Sequence, residues 1–351
     1  MCGTECSSLC RCRRVVCSAC HKADWKNHKS VCQSRVVGVS SFPAFDLVSI
    51  DGAQLCAFVQ KKGFAIVRVP GITETTRKCV ELARWFFMQP FEQKRWHGAG
   101  PGPGQKHGFM DLQWVEVFEA RLSYDSAFTW PGGAEFQTVV ERLRDALNNV
   151  ARQVVRLLCQ GCGLDFNGVV APKLENGTDL SVASNSALRI LLYSKPESTA
   201  PNHLFGTGDH TDNSFVTVAP ASAVRGLELL PRDDEAHWVN VEEVMAPMGD
   251  VVCVFVGDSL AKLSNAHYQS VLHRPNEQAC LSPFKALPAG ASDNERRRCG
   301  RISTPFFLRG RQDAVLGDVT VAQLETNYLR CRETWPWKKC TYYQKQTFHK
   351  E

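Results

Sequence analysis

An α+β fold is predicted for this chain, and two observations predict it. The front half carries apolar residues at helical spacing. From Ala187 onward the pattern changes to short apolar runs separated by turn residues. A third feature, a cysteine-dense segment at residues 1–35, stands ahead of both and predicts a small separate unit.

Residues 51–60 and 73–88 have helical spacing, with a strand-like FAIVRV at 64–69 between them. Residues 98–108, GAGPGPGQKHG, form a Gly/Pro loop unfit for helix or ladder. Residues 136–159 place Val139, Val140, Leu143, Leu147, Val150, Val154 and Leu158 on one face of a long helix that stops at Gly161. Strands are expected at 188–193, 214–218, 225–230, 237–241, 251–256, 267–273 and 301–307. Many short strands at this spacing argue for a sandwich or barrel. Residues 274–300 read as a polar loop. The expected units are 1–35, a helical region 42–165, a β core 186–310 and an extension 311–351.

Composition narrows the function classes. Residues 1–35 hold seven Lys/Arg against two Asp/Glu, so the net charge of +5 belongs to that unit and the remainder is neutral. The larger part has no global pull toward nucleic acid or membrane. Met1 to Cys12 is polar, without the apolar core of a secretory signal. No apolar run approaches a membrane span. A reducing compartment, cytoplasmic or nuclear, is expected, where clustered cysteines mean metal more often than disulfides.

The chemistry concentrates in GDHTDNSFVTV. His210 and Asp212 are two apart, so an extended chain sends both side chains to one face. Two His and one carboxylate on one face of iron leave positions open for a co-substrate and O2. With ten His and 36 acidic residues, about one such pair is expected by chance. His349 and Glu351 make one, without strand context.

The wider pattern raises the specificity. The stretch from Arg225 to Pro275 resembles the second half of the isopenicillin N synthase-like 2-oxoglutarate oxygenases, in Arg225-Gly226-Leu227, Trp238-Val239, Gly249-Asp250, Gly257-Asp258, Ser264-Asn265 and Ser270-Val271-Leu272-His273-Arg274. Gly63-Phe64, the run Arg84-Trp85-Phe86-Phe87 with Pro90 through Lys94, and Leu188-Arg189 with Tyr193 extend the resemblance forward, so that it covers roughly residues 43–310 in order. It implies a double-stranded β-helix (jelly-roll) core behind a helical N-terminal region. It assigns His273 as the third iron ligand; His267 is the rival and is read as an exposed strand residue. Arg301 and Ser303 look like the family's R-x-S pair for the distal carboxylate of 2-oxoglutarate, with Tyr193 as an extra hydroxyl donor. Arg296, Arg297 and Arg298 are read as solvated charge. Between His273 and Arg301 lie 27 residues, more than the family usually has. Either a loop is inserted or the register of the arginine differs.

The segment CSACHKADWKNHKSVC resembles the end of a MYND zinc finger. The resemblance places Cys2, Cys6, Cys17 and Cys20 on one Zn(II), and Cys10, Cys12, His28 and Cys32 on another. Cys10-x-Cys12 and Cys17-x-x-Cys20 are each one residue tighter than the pattern. A unit of this size has no core without metal. MYND fingers mostly bind short peptides, so a protein partner is implied, and the basic surface is read as solvated rather than as a nucleic-acid site.

The expected activity is an Fe(II)- and 2-oxoglutarate-dependent dioxygenase that hydroxylates or desaturates a small organic substrate. The alternatives are an adaptor with a degenerate oxygenase scaffold, and an iron oxidase that does not use 2-oxoglutarate.

Overall fold

The structure is a computed structural model that describes residues 8–9, 15–16, 42–49, 52–98, 107–112, 115–124, 127–174, 185–194, 209–234 and 236–334. Within the first 35 residues the described part is one antiparallel pair, β1 (Ser8–Leu9) with β2 (Val15–Val16). The expected zinc ligands Cys2, Cys6, Cys10, Cys12, Cys17, Cys20, His28 and Cys32 lie outside the described residues.

The rest is α+β. In chain order it runs β3 (Ala44–Asp46), α1 (Gly52–Lys62), β4 (Phe64–Arg68), α2 (Ile72–Phe87), α3 (Phe91–Arg95), β5 (Gly108–Asp111), β6 (Glu116–Arg121), α4 (Ala134–Gly161), β7 (Ala187–Tyr193), β8 (Val216–Pro220), β9 (Leu227–Leu229), β10 (Val239–Asn240), α5 (Val241–Met245), β11 (Val251–Val256), α6 (Asp258–Leu263), β12 (His273–Pro275), α7 (Glu277–Leu281), α8 (Asp293–Cys299), β13 (Arg301–Ser303), β14 (Phe306–Leu308) and α9 (Val321–Thr334). A nine-stranded sheet has the order β3-β4-β11-β8-β14-β7-β6-β5, with β13 also on β7. A small sheet has the order β10-β9-β12. Regions 42–165 and 186–310 therefore share one sheet.

Alternation along the strands builds the layers. Val252, Val254 and Val256 of β11, with Ala65 and Val67 of β4, pack into the core under α1, α2 and α4. Val251, Cys253 and Phe255, with Phe64 and Ile66, pack on the other side against Leu229, Val239 and α5. A strand buried on both faces reads as a continuous apolar run, as VVCVFV does.

Three expectations need correction. Strand 267–273 is only β12, beginning at His273, because Asn265 and Ala266 turn with positive φ (48 and 62) and the Tyr268 amide donates to Ser264 Oγ. His267 is exposed and shares no strand face with His273. The polar loop 274–300 is largely helical, and its Arg297 is not solvated charge: it donates to buried Glu116 Oε1 at 2.7 Å, while Lys94 holds the other oxygen. Arg84 ties the same segment by donating to the carbonyls of Arg297 and Gly300. β5 and β6 were not expected, because charged residues interrupt the β6 alternation.

Candidate metal centre

His210 lies just before β8 and His273 opens β12. Their backbones pair, with His210 N donating to His273 O at 3.0 Å and His273 N to His210 O at 2.9 Å. That bridge brings together side chains 63 positions apart. The loop carrying Asp212 is held by the turn after β11. The Asp258 amide donates to Asp212 O at 2.7 Å, and Ser259 Oγ to Asn213 O at 2.6 Å. Gly257 permits this approach: a Cβ there would stand 2.2 Å from Ser214 O.

Asp212 Oδ1 is 3.6 Å from His210 Nε2, and Oδ2 is 3.6 Å from His273 Nε2. All three ligand atoms lie within 4.8 Å of one another, the sole such group among the described residues. His273 Nδ1 is 3.2 Å from the Val271 carbonyl. A proton donated there leaves the Nε2 lone pair for a metal. Thr217 Oγ1 donates to Asp212 Oδ2 at 2.6 Å. Burial works against ionisation of Asp212, but His273, His210 and the Thr217 hydroxyl outweigh it and hold the carboxyl below its ordinary range. Two imidazoles and one carboxylate in this arrangement fit a divalent iron with vacant positions.

The other predicted residues also converge. Arg301 pairs across the strands with Tyr193, and its Cζ stands 5.5 Å over the Tyr193 ring. Ser303 hydrogen-bonds with the Tyr193 hydroxyl, whose proton is retained mainly because of burial. The helical 274–300 segment precedes this strand pairing. A partner invisible in the sequence is Glu242. Buried on α5, it accepts 2.8 Å from Arg301 Nη2, and it also accepts the amides of Ser222, Gly226 and Leu227. Burial opposes the Arg301 charge, and Glu242 outweighs that and raises its pKa. Arg301 Nε is buried without a hydrogen-bond partner among the described residues. In the sequence Glu242 resembles any helix-surface acid; only its backbone acceptor role sets it apart. Thr217 was missed for the same reason.

The profile of the 2OG-Fe(II) oxygenase superfamily matches residues 185–310. Gibberellin 3-beta-dioxygenase 3 of Arabidopsis thaliana is 29% identical over 171 residues, 46% of each chain, so this match spans about half of that enzyme. Gibberellin 20 oxidase 3 of Oryza sativa subsp. japonica is 26% identical over 300 residues, covering 80% of this chain and 73% of its own. In fold, the chain is similar to a full-length Neurospora crassa protein solved in complex with alpha-KG and 5-formyluracil (TM-score 0.57, 20% identity, 78% of this chain and 85% of that one). It is also similar to the rice dioxygenase for auxin oxidation (TM-score 0.56, 18% identity, 85% and 97%). The family match falls on the segment that brings His210, Asp212 and His273 together, so residues 185–310 are similar to the Fe(II)/2-oxoglutarate-dependent dioxygenases over the part of the chain that carries the triad.

Proposed function

We propose that the chain couples oxidative decarboxylation of 2-oxoglutarate to hydroxylation or desaturation of a small organic substrate, in a core of the double-stranded β-helix type. The observation that carries this reading is the His210–Asp212–His273 triad. When bound there, Fe(II) supplies the O2 chemistry in which 2-oxoglutarate, O2 and a C–H bond become succinate, CO2 and an alcohol. The chain's own residues hold and aim the reactants. Val271 fixes the ring of His273, and Thr217 fixes the carboxylate of Asp212. Arg301, with Ser303 and Tyr193 beside it, offers a buried cation to the distal carboxylate of 2-oxoglutarate. Its Nε is a buried donor that such a carboxylate would satisfy.

The Glu242–Arg301 pair favours a second reading, an iron oxidase that does not use 2-oxoglutarate, because a buried carboxylate already occupies part of the arginine fork. Succinate measurement separates the two. Iron-loaded protein with 2-oxoglutarate, O2 and a deproteinised cell extract should form succinate in step with substrate consumption. Substrate consumption without succinate supports the oxidase, and neither product supports the adaptor.

For residues 1–35 the reading is a zinc-binding unit that takes a protein partner, supported by ligand density and by the MYND-like segment. The zinc content of the full chain against a chain beginning at Phe42 tests it. Among the described residues no helix is long and apolar enough to cross a membrane.

A further inference from the structure

Arg301 on β13 and Glu242 on α5 form a buried pair, 3% and 1% exposed. Glu242 Oε1 accepts from Arg301 Nη2 at 2.8 Å. The same carboxylate accepts the amides of Ser222 and Leu227, each at 2.9 Å, and that of Gly226. Four donors therefore fix Glu242, and Glu242 fixes one arm of the guanidinium. The donor left over is Arg301 Nε, buried without a hydrogen-bond partner among the described residues. Gly226 borders it: a Cβ there would stand 2.9 Å from Nε. One short segment, 222–227, thus carries three of the donors to Glu242 and the glycine beside the open arm.

The groups that act on Arg301 are Glu242, Cys280 and Tyr193. Burial pushes the Cys280 thiol up to about 11 and raises Tyr193 as well, so both keep their protons near neutral pH. Glu228 acts on Cys280 and is itself paired with Arg274 at 2.8 Å. Glu242 is then the one charge that balances Arg301. A distal carboxylate arriving at Arg301 gains a hydrogen bond from Nε but meets a second carboxylate on the same guanidinium. The two repel, and in a buried site salt screens that repulsion little.

We propose that Glu242 sets the affinity and selectivity for the co-substrate: it competes with the distal carboxylate of 2-oxoglutarate for Arg301, so the site holds that dicarboxylate only modestly better than a 2-oxo acid lacking the second carboxylate. Glu242 acts through Arg301 and is a positioning residue. This rests on the 2-oxoglutarate reading above.

The test uses the full chain loaded with Mn(II) in place of iron, so that titration calorimetry reads binding without turnover. In the wild type, 2-oxoglutarate should bind less than about tenfold more tightly than 2-oxopentanoate, the same five-carbon chain ending in a methyl group; tenfold is roughly the low end for one charge-assisted hydrogen bond. Glu242→Gln should bind 2-oxoglutarate at least about threefold more tightly than wild type, with 2-oxopentanoate affinity little changed. Arg301→Ala leaves Glu242 without its counter-charge, so Arg301→Ala/Glu242→Gln should bind 2-oxoglutarate more tightly than Arg301→Ala alone. With Fe(II) and O2, the half-saturating 2-oxoglutarate concentration for succinate formation should fall in Glu242→Gln while the maximal rate stays near that of wild type. Glu242→Gln should also lower the melting temperature, because the three amides lose a carboxylate oxygen. A residue with that structural role alone would weaken 2-oxoglutarate binding in both backgrounds. That outcome, an unchanged affinity in Glu242→Gln, or a wild-type preference above about tenfold overturns the proposal. The wild-type comparison decides even if Glu242→Gln does not fold. A wild type that binds no 2-oxoglutarate overturns the parent reading, and this proposal with it.

Discussion

Along β7, β8 and β14 the two faces of the nine-stranded sheet come from alternate residues of the same strands, yet they differ in kind. Toward the helices, β7 presents Leu188, Ile190 and Leu192, β8 presents Val216 and Val218, and β14 presents Phe306 and Leu308, all buried in one apolar cluster. On the opposite side the same strands carry Arg189 and Tyr193, Thr217 and Phe307, with Arg301 and Ser303 from β13. The helical side supplies the apolar burial that stabilises the fold. The opposite side gives up part of that stabilisation to hold buried charges, each of which requires a partner. Stability and chemistry are thus separated by one residue of strand register.

The sharpest way to break this comparison is at the triad. His210→Ala or His273→Ala should abolish iron-dependent turnover, a loss of at least about a hundredfold given that even outer partners of metal ligands are worth 10–100-fold. His267→Ala should stay near wild type. Iron content and succinate formation measure this, and full activity in His273→Ala would sink the assignment.

On the apolar face, Phe306→Ala should cost about 3–5 kcal/mol of stability through the cavity it leaves. Its immediate neighbour on the other face, Phe307, pairs with Thr217, which holds Asp212. Urea unfolding of the metal-free protein reads the first effect; a midpoint unmoved in Phe306→Ala would contradict the division of faces.

Arg301→Ala should weaken 2-oxoglutarate binding at least about tenfold, since a charge-assisted hydrogen bond contributes about 1.5–3 kcal/mol. Iron binding should survive. Arg297→Ala should instead lower stability, because it strips a partner from buried Glu116. A larger loss of 2-oxoglutarate affinity in Arg297→Ala than in Arg301→Ala would reverse the roles.

The smallest effect concerns His107, stacked on Tyr124 at 4.1 Å and accepting the Arg121 amide on Nδ1. Burial first, and then Arg144, lower its pKa from 6.5 to about 3. Below pH 6.5 the unfolded chain takes up a proton that the folded chain refuses until about pH 3. His107 thus contributes fully above pH 6.5, and stability falls by roughly 1.4 kcal/mol per pH unit as the pH drops through that window. His107→Phe should flatten this slope in urea midpoints measured from pH 6.5 to 4.5. Parallel curves for the two proteins would rule it out.

Much of this was legible in the chain itself. The near-continuous apolar runs FAIVRV and VVCVFV specified buried strands, because a strand covered on both faces is apolar at successive positions. The seven-residue face of α4 and its stop at Gly161 followed from helical spacing. His210 and Asp212 were visible because two-residue spacing is a local property. His273 needed the family resemblance, since nothing local ties it to a loop 63 positions earlier; the tertiary bridge between His210 and His273 does that. Glu242, Thr217 and the anchoring of Arg297 on Glu116 were decided by tertiary structure only. Each is an ordinary polar residue in sequence, and its role depends on which distant group the fold packs against it and on how far water is excluded there.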